Sequence, residues 1–261
     1  MTIADSAAPR FQVGRVFKRT FNAIANNFPA FALMSVVTAI PSAALTWLEP
    51  EFFSGFDPTI VGLYGLAWLA YLISAFALQA AVVHGTVADL NGSRASLIDC
   101  LSTGFRHFLP LIPIALVYAV WVGVGLLLFV VPGIVFAVMM SVAVPVRVVE
   151  RTRVLVAFDR SQDLTSGYRW PIFGVFLAYF VAQTVLSATA LSIVGFGFPS
   201  GPLLDGAASG VSPNAWPVIL ASTVASMINS VLSAAGTAAI YSELRQIKES
   251  VGPEALAAVF D

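Results

Sequence analysis

Four arginines, Arg151, Arg153, Arg160 and Arg169, crowd one stretch of this chain beside Tyr168 and Trp170. Guanidinium groups at that density, next to amphipathic aromatics, suit phosphate oxygens at the headgroup level of a bilayer. Each basic group near an anionic leaflet contributes about 1 kcal/mol of attraction. These four are therefore candidates for binding lipid headgroups. A structural polar cluster surrounds them: Arg147, Glu150, Ser161, Asp163, Thr165 and Gly167, with Tyr241 and Arg245 near the end of the chain. Glu150 is placed to pair with Arg147 three residues back, or with Arg245 across the fold. Arg160 and Asp163 are also three apart and suited to a surface pair. Ser161 and Thr165, one helical turn apart, are set to face the bilayer boundary or the end of the last apolar segment. Ser166-Gly167 is a helix stop, with glycine taking the left-handed conformation.

Catalysis finds little to work with. Glu150, Arg160, Asp163 and Arg245 are the one set of ionisable residues that could gather in a pocket. No Ser–His–Asp arrangement, Walker loop or His-Glu-x-x-His motif is present. His84 and His107 lie far apart, without ligand spacing. The single cysteine, Cys100, excludes an internal disulfide and a cysteine-based metal cluster. The expectation is a non-enzyme with no metal and no cofactor. A net charge of −1 leaves no nucleic-acid footprint.

The elements that must position these residues are apolar to an extent a soluble domain does not reach. The chain is 58% hydrophobic and 10% charged, with a mean hydropathy of +0.88, against about 25% charge in a typical soluble domain. Six long apolar segments stand out, at about 28–48, 60–83, 109–130, 134–149, 171–194 and 215–240. The first lacks a small-residue cleavage site and reads as a retained membrane helix. The fourth is short and holds Pro145, so it either borrows length from its Arg147 end or tucks against the third. Val131-Pro132-Gly133 is the expected turn between those two. The sixth is expected to continue as helix through 241–249 and to end before Pro253. A Gly/Pro/Ser-rich loop spans 195–213.

All 13 Lys and Arg residues fall in alternate gaps between these segments. Arg10, Arg15, Lys18 and Arg19 precede the first, and Arg94 and Arg106 separate the second from the third. Five arginines, Arg147 through Arg169, separate the fourth from the fifth; Arg245 and Lys248 follow the sixth. The remaining gaps hold only Glu49, Glu51, Asp57 and Asp205 as charges. The positive-inside rule then places both termini in the cytoplasm. Inside the spans the strongly polar residues are few. Gln79, Gln183 and Asn229, with Ser226, Ser230, Ser233 and Ala234, are expected to serve interhelical hydrogen bonding and small-residue packing. Gln183 and Asn229 also define the one polar path a transporter could use.

Three basic-side stretches share a plan: 13–24 before Phe28-Pro29, 97–105 before Leu109-Pro110, and 154–164 before Trp170-Pro171. Each is an amphipathic helix leading into two apolar segments. In the first, residues 13, 16, 17, 21, 24 and 28 make the apolar face; in the third, Leu155, Phe158 and Leu164 lie near one face. The expected architecture is all-α: six transmembrane helices in three hairpins, each preceded by an amphipathic cytoplasmic helix. Its parts are a polar tail at 1–10, a membrane domain at 11–249 with units at about 11–83, 94–149 and 154–249, and a tail at 250–261.

The most specific text is Val131-Pro-Gly133, Pro145, Glu150, the run Ala157 to Gly167, and the closing Ala239-Ile-Tyr-Ser-Glu-Leu-Arg245. In this order these residues resemble the membrane domain attached to some bacterial glycerophosphoryl diester phosphodiesterases, and its stand-alone relatives. The resemblance covers most of 11–249. It implies a six-helix integral domain of a bacterial inner membrane and not phosphodiesterase chemistry, which belongs to a separate soluble barrel. The resulting expectation is a non-catalytic scaffold or accessory module that engages anionic lipid, a second copy or a membrane partner at its cytoplasmic rim. The alternative is a transporter or lipid-handling channel with a path near Gln183 and Asn229.

Overall fold

A computed structural model describes residues 11–55, 57–93, 96–197 and 216–249. The two tails, most of the 195–213 loop, Arg10, Arg94 and Pro253 lie outside the described residues. Nine helices and no strand occur among the described residues. They are α1 (Val13–Asn26), α2 (Phe28–Ser54), α3 (Pro58–Leu90), α4 (Leu97–Leu128), α5 (Val130–Met139), α6 (Ala143–Glu150), α7 (Val154–Thr165), α8 (Arg169–Gly197) and α9 (Trp216–Glu249). Six segments are long and apolar enough to cross a membrane, with α5 and α6 together forming one of them. The chain is an all-α polytopic membrane protein.

The second amphipathic stretch is not a separate helix. Residues 97–105 are the start of α4, which runs on through Pro110 and Pro113. Ser96 caps it by accepting from the Asp99 amide at 3.1 Å. No stop signal intervenes: Gly104 is helical, and a Cβ there would lie 2.6 Å from the Ala77 carbonyl oxygen. That glycine is there for the close approach of α3, not for a turn. By contrast α1 ends at Asn27, just before Pro29 in the first turn of α2. Likewise α7 ends at Ser166 and Gly167, the latter at φ +84°, as the helix-stop reading requires.

The turn between the third and fourth segments sits earlier than expected. The break is at Phe129, which is extended, while Pro132 and Gly133 lie inside the first turn of α5. Proline is tolerated there because first-turn amides have no intrahelical partner. Gly133 is used instead for packing: a Cβ on Gly125 would come within 2.8 Å of the Gly133 Cα. The two helices therefore touch backbone to backbone.

The fourth segment is longer than expected, Val130–Glu150, and it is broken within that length. A proline clashes with the carbonyl four residues back and has no amide to give it. For Pro145 that residue is Ser141, and the helix is interrupted between Met139 and Ala143. The Ala143 amide bonds the Met140 carbonyl at 3.1 Å instead of reaching back to Met139.

The amphipathic faces are rotated from the expected ones. In α1 the buried residues are Val16, Thr20 and Ala23, while Val13 and Phe21 face outward. In α7 the buried stripe is Ala157, Phe158, Ser161, Leu164 and Thr165, and Leu155 is exposed. Hydroxyls displace larger apolar side chains from both faces because they meet specific polar partners across the interface.

The buried core gathers toward the basic ends of the helices. In α3 it runs from Ala77 to Val87 and in α9 from Val231 to Ile247. Toward the opposite ends, Leu66, Trp68, Leu127, Val185 and Leu220 are exposed, as lipid-facing positions are. Cys100 belongs to this core, fully buried beside Phe31 and Gly85. Burial, reinforced by neighbouring Asp99, pushes its thiol up from the ordinary range. The folded protein in detergent should resist maleimide at neutral pH, and denaturation in SDS should make Cys100 fully reactive. Rapid labelling of the folded protein would contradict this packing of α2, α3 and α4.

Candidate functional site at the basic end

Polar side chains from five helices meet at the basic end. The deepest is Glu243 of α9, which is fully buried. Arg19 of α1 donates to its Oε2 at 2.7 Å, and the Arg15 Nε lies 3.4 Å from its Oε1. Arg15 and Arg19 are one turn apart, so both reach the same carboxylate from one face of α1. Arg19 also donates to the Gln246 side-chain oxygen, Oε1, at 2.7 Å. Tyr179 of α8 completes this docking, donating to Thr20 at 3.0 Å while Thr20 donates to the Val16 carbonyl. A buried charge is tolerated only with such pairing.

A second network joins α6, α7 and α9. Tyr241 donates to Glu150 at 2.9 Å, and Arg160 lies 3.5 Å from the same carboxylate. Arg160 also pairs with Glu249, which receives Arg245 at 2.5 Å. Lys248 donates to the Asp163 carbonyl, and to Ser166 Oγ at 2.6 Å. It thereby supplies a cation and a donor to the carbonyl end of α7.

These partners differ from the expected pairs. Glu150 is paired with neither Arg147 nor Arg245; it holds Arg160 and the Tyr241 hydroxyl. Arg160 turns from Asp163 to the two glutamates. Ser161 and Thr165 do not face the bilayer boundary or α9. They are buried; Ser161 donates to the Met139 carbonyl at 2.7 Å, and Thr165, whose nearest acceptor is the Ser161 carbonyl at 2.9 Å, lies 3.4 Å from the same Met139 oxygen. That is the carbonyl freed by the α5/α6 break. Arg147 stands apart, its Nε buried without a hydrogen bond. Gly167 serves as the α7 stop.

The proposed headgroup set is divided. Arg160 is occupied inside the protein. Arg151, Arg153 and Arg169 are exposed and form no ion pair among the described residues. Arg151 caps α6 in the left-handed conformation, at φ 53°. Arg169 opens α8 beside Trp170.

Gln183 and Asn229 share one cavity of about 620 Å³ between α4, α5, α8 and α9. Its walls are mostly apolar, including Ile134, Val138, Phe173 and Phe180. The interhelical hydrogen bond expected of Gln183 is not made. Its amide donates to Ser187 within α8 at 3.3 Å, and its Oε1 is buried without a partner. Ser230 likewise bonds within its own helix. Gln79, half-buried on α3, is not part of this cavity.

Sequence reading missed Arg15, Arg19 and Glu243 as a unit. The available signal was a carboxylate flanked by an apolar helix, which needs a cation from elsewhere. No family model, curated protein or solved structure matches the chain.

Arg15→Ala combined with Arg19→Ala should cost about 3–5 kcal/mol, because it leaves the buried Glu243 carboxylate without a cation. Thermal melting in detergent should show this as a lower midpoint; an unchanged midpoint would mean the pair does not hold α1. Ser161→Ala combined with Thr165→Val should cost about 1–3 kcal/mol by stripping the Met139 carbonyl of its donors. Equal stability to wild type would show that another donor takes their place.

Proposed function

We propose that this protein is a non-catalytic scaffold or accessory module of a bacterial inner membrane, with both termini cytoplasmic, that engages anionic lipid at its basic rim. The carrying observation is the division of the arginines. Those that hold the fold are paired with Glu150, Glu243 and Glu249, whereas Arg151, Arg153 and Arg169 remain exposed without ion-pair partners among the described residues. The unpaired set is available to phosphate oxygens of an anionic leaflet. The alternation of charge between spans supports the orientation, and the motif order supports kinship with the phosphodiesterase membrane domain. A second copy or another membrane protein is the natural object of a scaffold.

The second reading is a lipid-handling path. The cavity at Gln183 and Asn229 favours it, and its apolar walls fit hydrocarbon better than a polar solute. A helix interrupted within a span, as at α5/α6, is also a device of transporters.

Added phosphatidylglycerol should raise the melting midpoint of the protein in a neutral detergent, and phosphatidylcholine should not. At a hundredfold excess over Kd the stabilisation would be about 2.7 kcal/mol. Equal shifts from the two lipids, or none, would sink the anionic-lipid reading.

A further inference from the structure

We infer that the groove between α5 and α8 is a seat for one anionic phospholipid of the bilayer, its phosphate on Arg169 and one acyl chain running past Phe173 into the chamber at Gln183 and Asn229. This rests on the lipid-engaging reading above and gives it a place.

The groove is built from two adjoining cavities. The larger, about 620 Å³, holds Gln183 and Asn229; the smaller, about 390 Å³, holds Arg169 and Trp170. Both are walled by Ile134, Val138 and Phe173, so they lie side by side along one surface of α5. Along α8 the distance from Arg169 to Gln183 is about 21 Å at 1.5 Å per residue, enough to carry a chain from headgroup level past the middle of a ~30 Å hydrocarbon core. Volumes in this range, with apolar walls and a few polar groups, are those of ligand sites.

Charge fixes the kind of occupant. Among the described residues Arg169 is the one cation in the lining of either cavity, and no carboxylate lines them. A phosphate meets a guanidinium whose fork matches its oxygens. An ammonium headgroup finds no counter-charge there, so a zwitterionic lipid gains less. Trp170 is 82% exposed and stands where amphipathic rings mark the interface.

Native mass spectrometry of the full chain, equilibrated with equal phosphatidylglycerol and phosphatidylcholine in mild detergent, tests this. Wild type should retain one phosphatidylglycerol. Arg169→Gln should lower the retained fraction about fivefold, the value of one cation at an anionic leaflet. Ser233→Phe, which fills the chamber from an exposed position on α9, should lower it similarly. Arg106→Gln, at an exposed cation outside the lining of both cavities, should leave it unchanged. Retention by Arg169→Gln and Ser233→Phe alike would overturn the groove. If Arg151→Gln with Arg153→Gln then loses the lipid, the rim reading stands without the groove; if wild type retains neither lipid, both fall. Adduct mass separates an intact phospholipid from a free fatty acid, and a fatty acid in its place would overturn the assignment.

Discussion

One carbonyl group fixes how α7 sits at the basic end of this molecule. Hydrocarbon offers no water to an unpaired backbone oxygen, so a helix that breaks near a membrane must find a donor within the protein. Pro145 forces such a break, and the oxygen it leaves behind belongs to Met139. Two hydroxyls on α7 face that oxygen, Ser161 donating to it at 2.7 Å and Thr165 lying 3.4 Å away. They can do so only if α7 lies with its small polar stripe against the break. Once it does, Arg160, one residue before Ser161, is carried to Glu150 and Glu249. Lys248 meets the last carbonyls of the same helix. The break before Pro145 is thus matched by the face α7 buries, and the polar ends of α7 and α9 meet beside it.

The two ion-pair networks differ in kind. Glu243 is fully buried and its arginines come from the far end of the chain. Desolvating that carboxylate is expensive, so the pair fixes one docked position of α1 more than it adds net stability. The Glu150–Arg160–Glu249–Arg245 network is partly exposed, and solvent weakens each of its links. Its strength lies in connectivity, since Tyr241 shares both Glu150 and Arg245. At the opposite ends of the helices no comparable network occurs among the described residues. Packing and the surrounding lipid hold those ends, consistent with their exposed leucines, valines and tryptophans.

Much of this was legible in the sequence because it depends on local physics. Runs of apolar residues have to become helices in a bilayer, so the six spans follow from composition. Ser166-Gly167 acts within one turn of itself, and its effect appears where expected. The Val131-Pro132-Gly133 turn was misplaced because proline inside a first turn and proline at a chain reversal look alike in one dimension. Only the contact of Gly125 with Gly133 distinguishes them. The polar pairs were hardest: Arg19 and Glu243 are separated by 224 residues. Spacing rules favoured neighbours such as Arg160 with Asp163, whereas the fold supplied more deeply placed partners.

The same distinction explains why the arginines cannot be treated as one patch. An arginine near a membrane surface has three competing partners: water, a lipid phosphate or a protein carboxylate. A carboxylate held on a rigid helix wins where the fold brings it within reach, since little side-chain freedom is left to lose. Arg160 meets that condition, and Arg15 and Arg19 meet it more fully. Arg169 does not, because it opens α8 beside Trp170 with apolar walls on one side. Its guanidinium stays hydrated, or finds a phosphate, and no internal bond must break for the phosphate to bind. A cation without an internal partner beside an apolar groove is thus open to an amphiphile in a way that a cation already bonded within the protein is not.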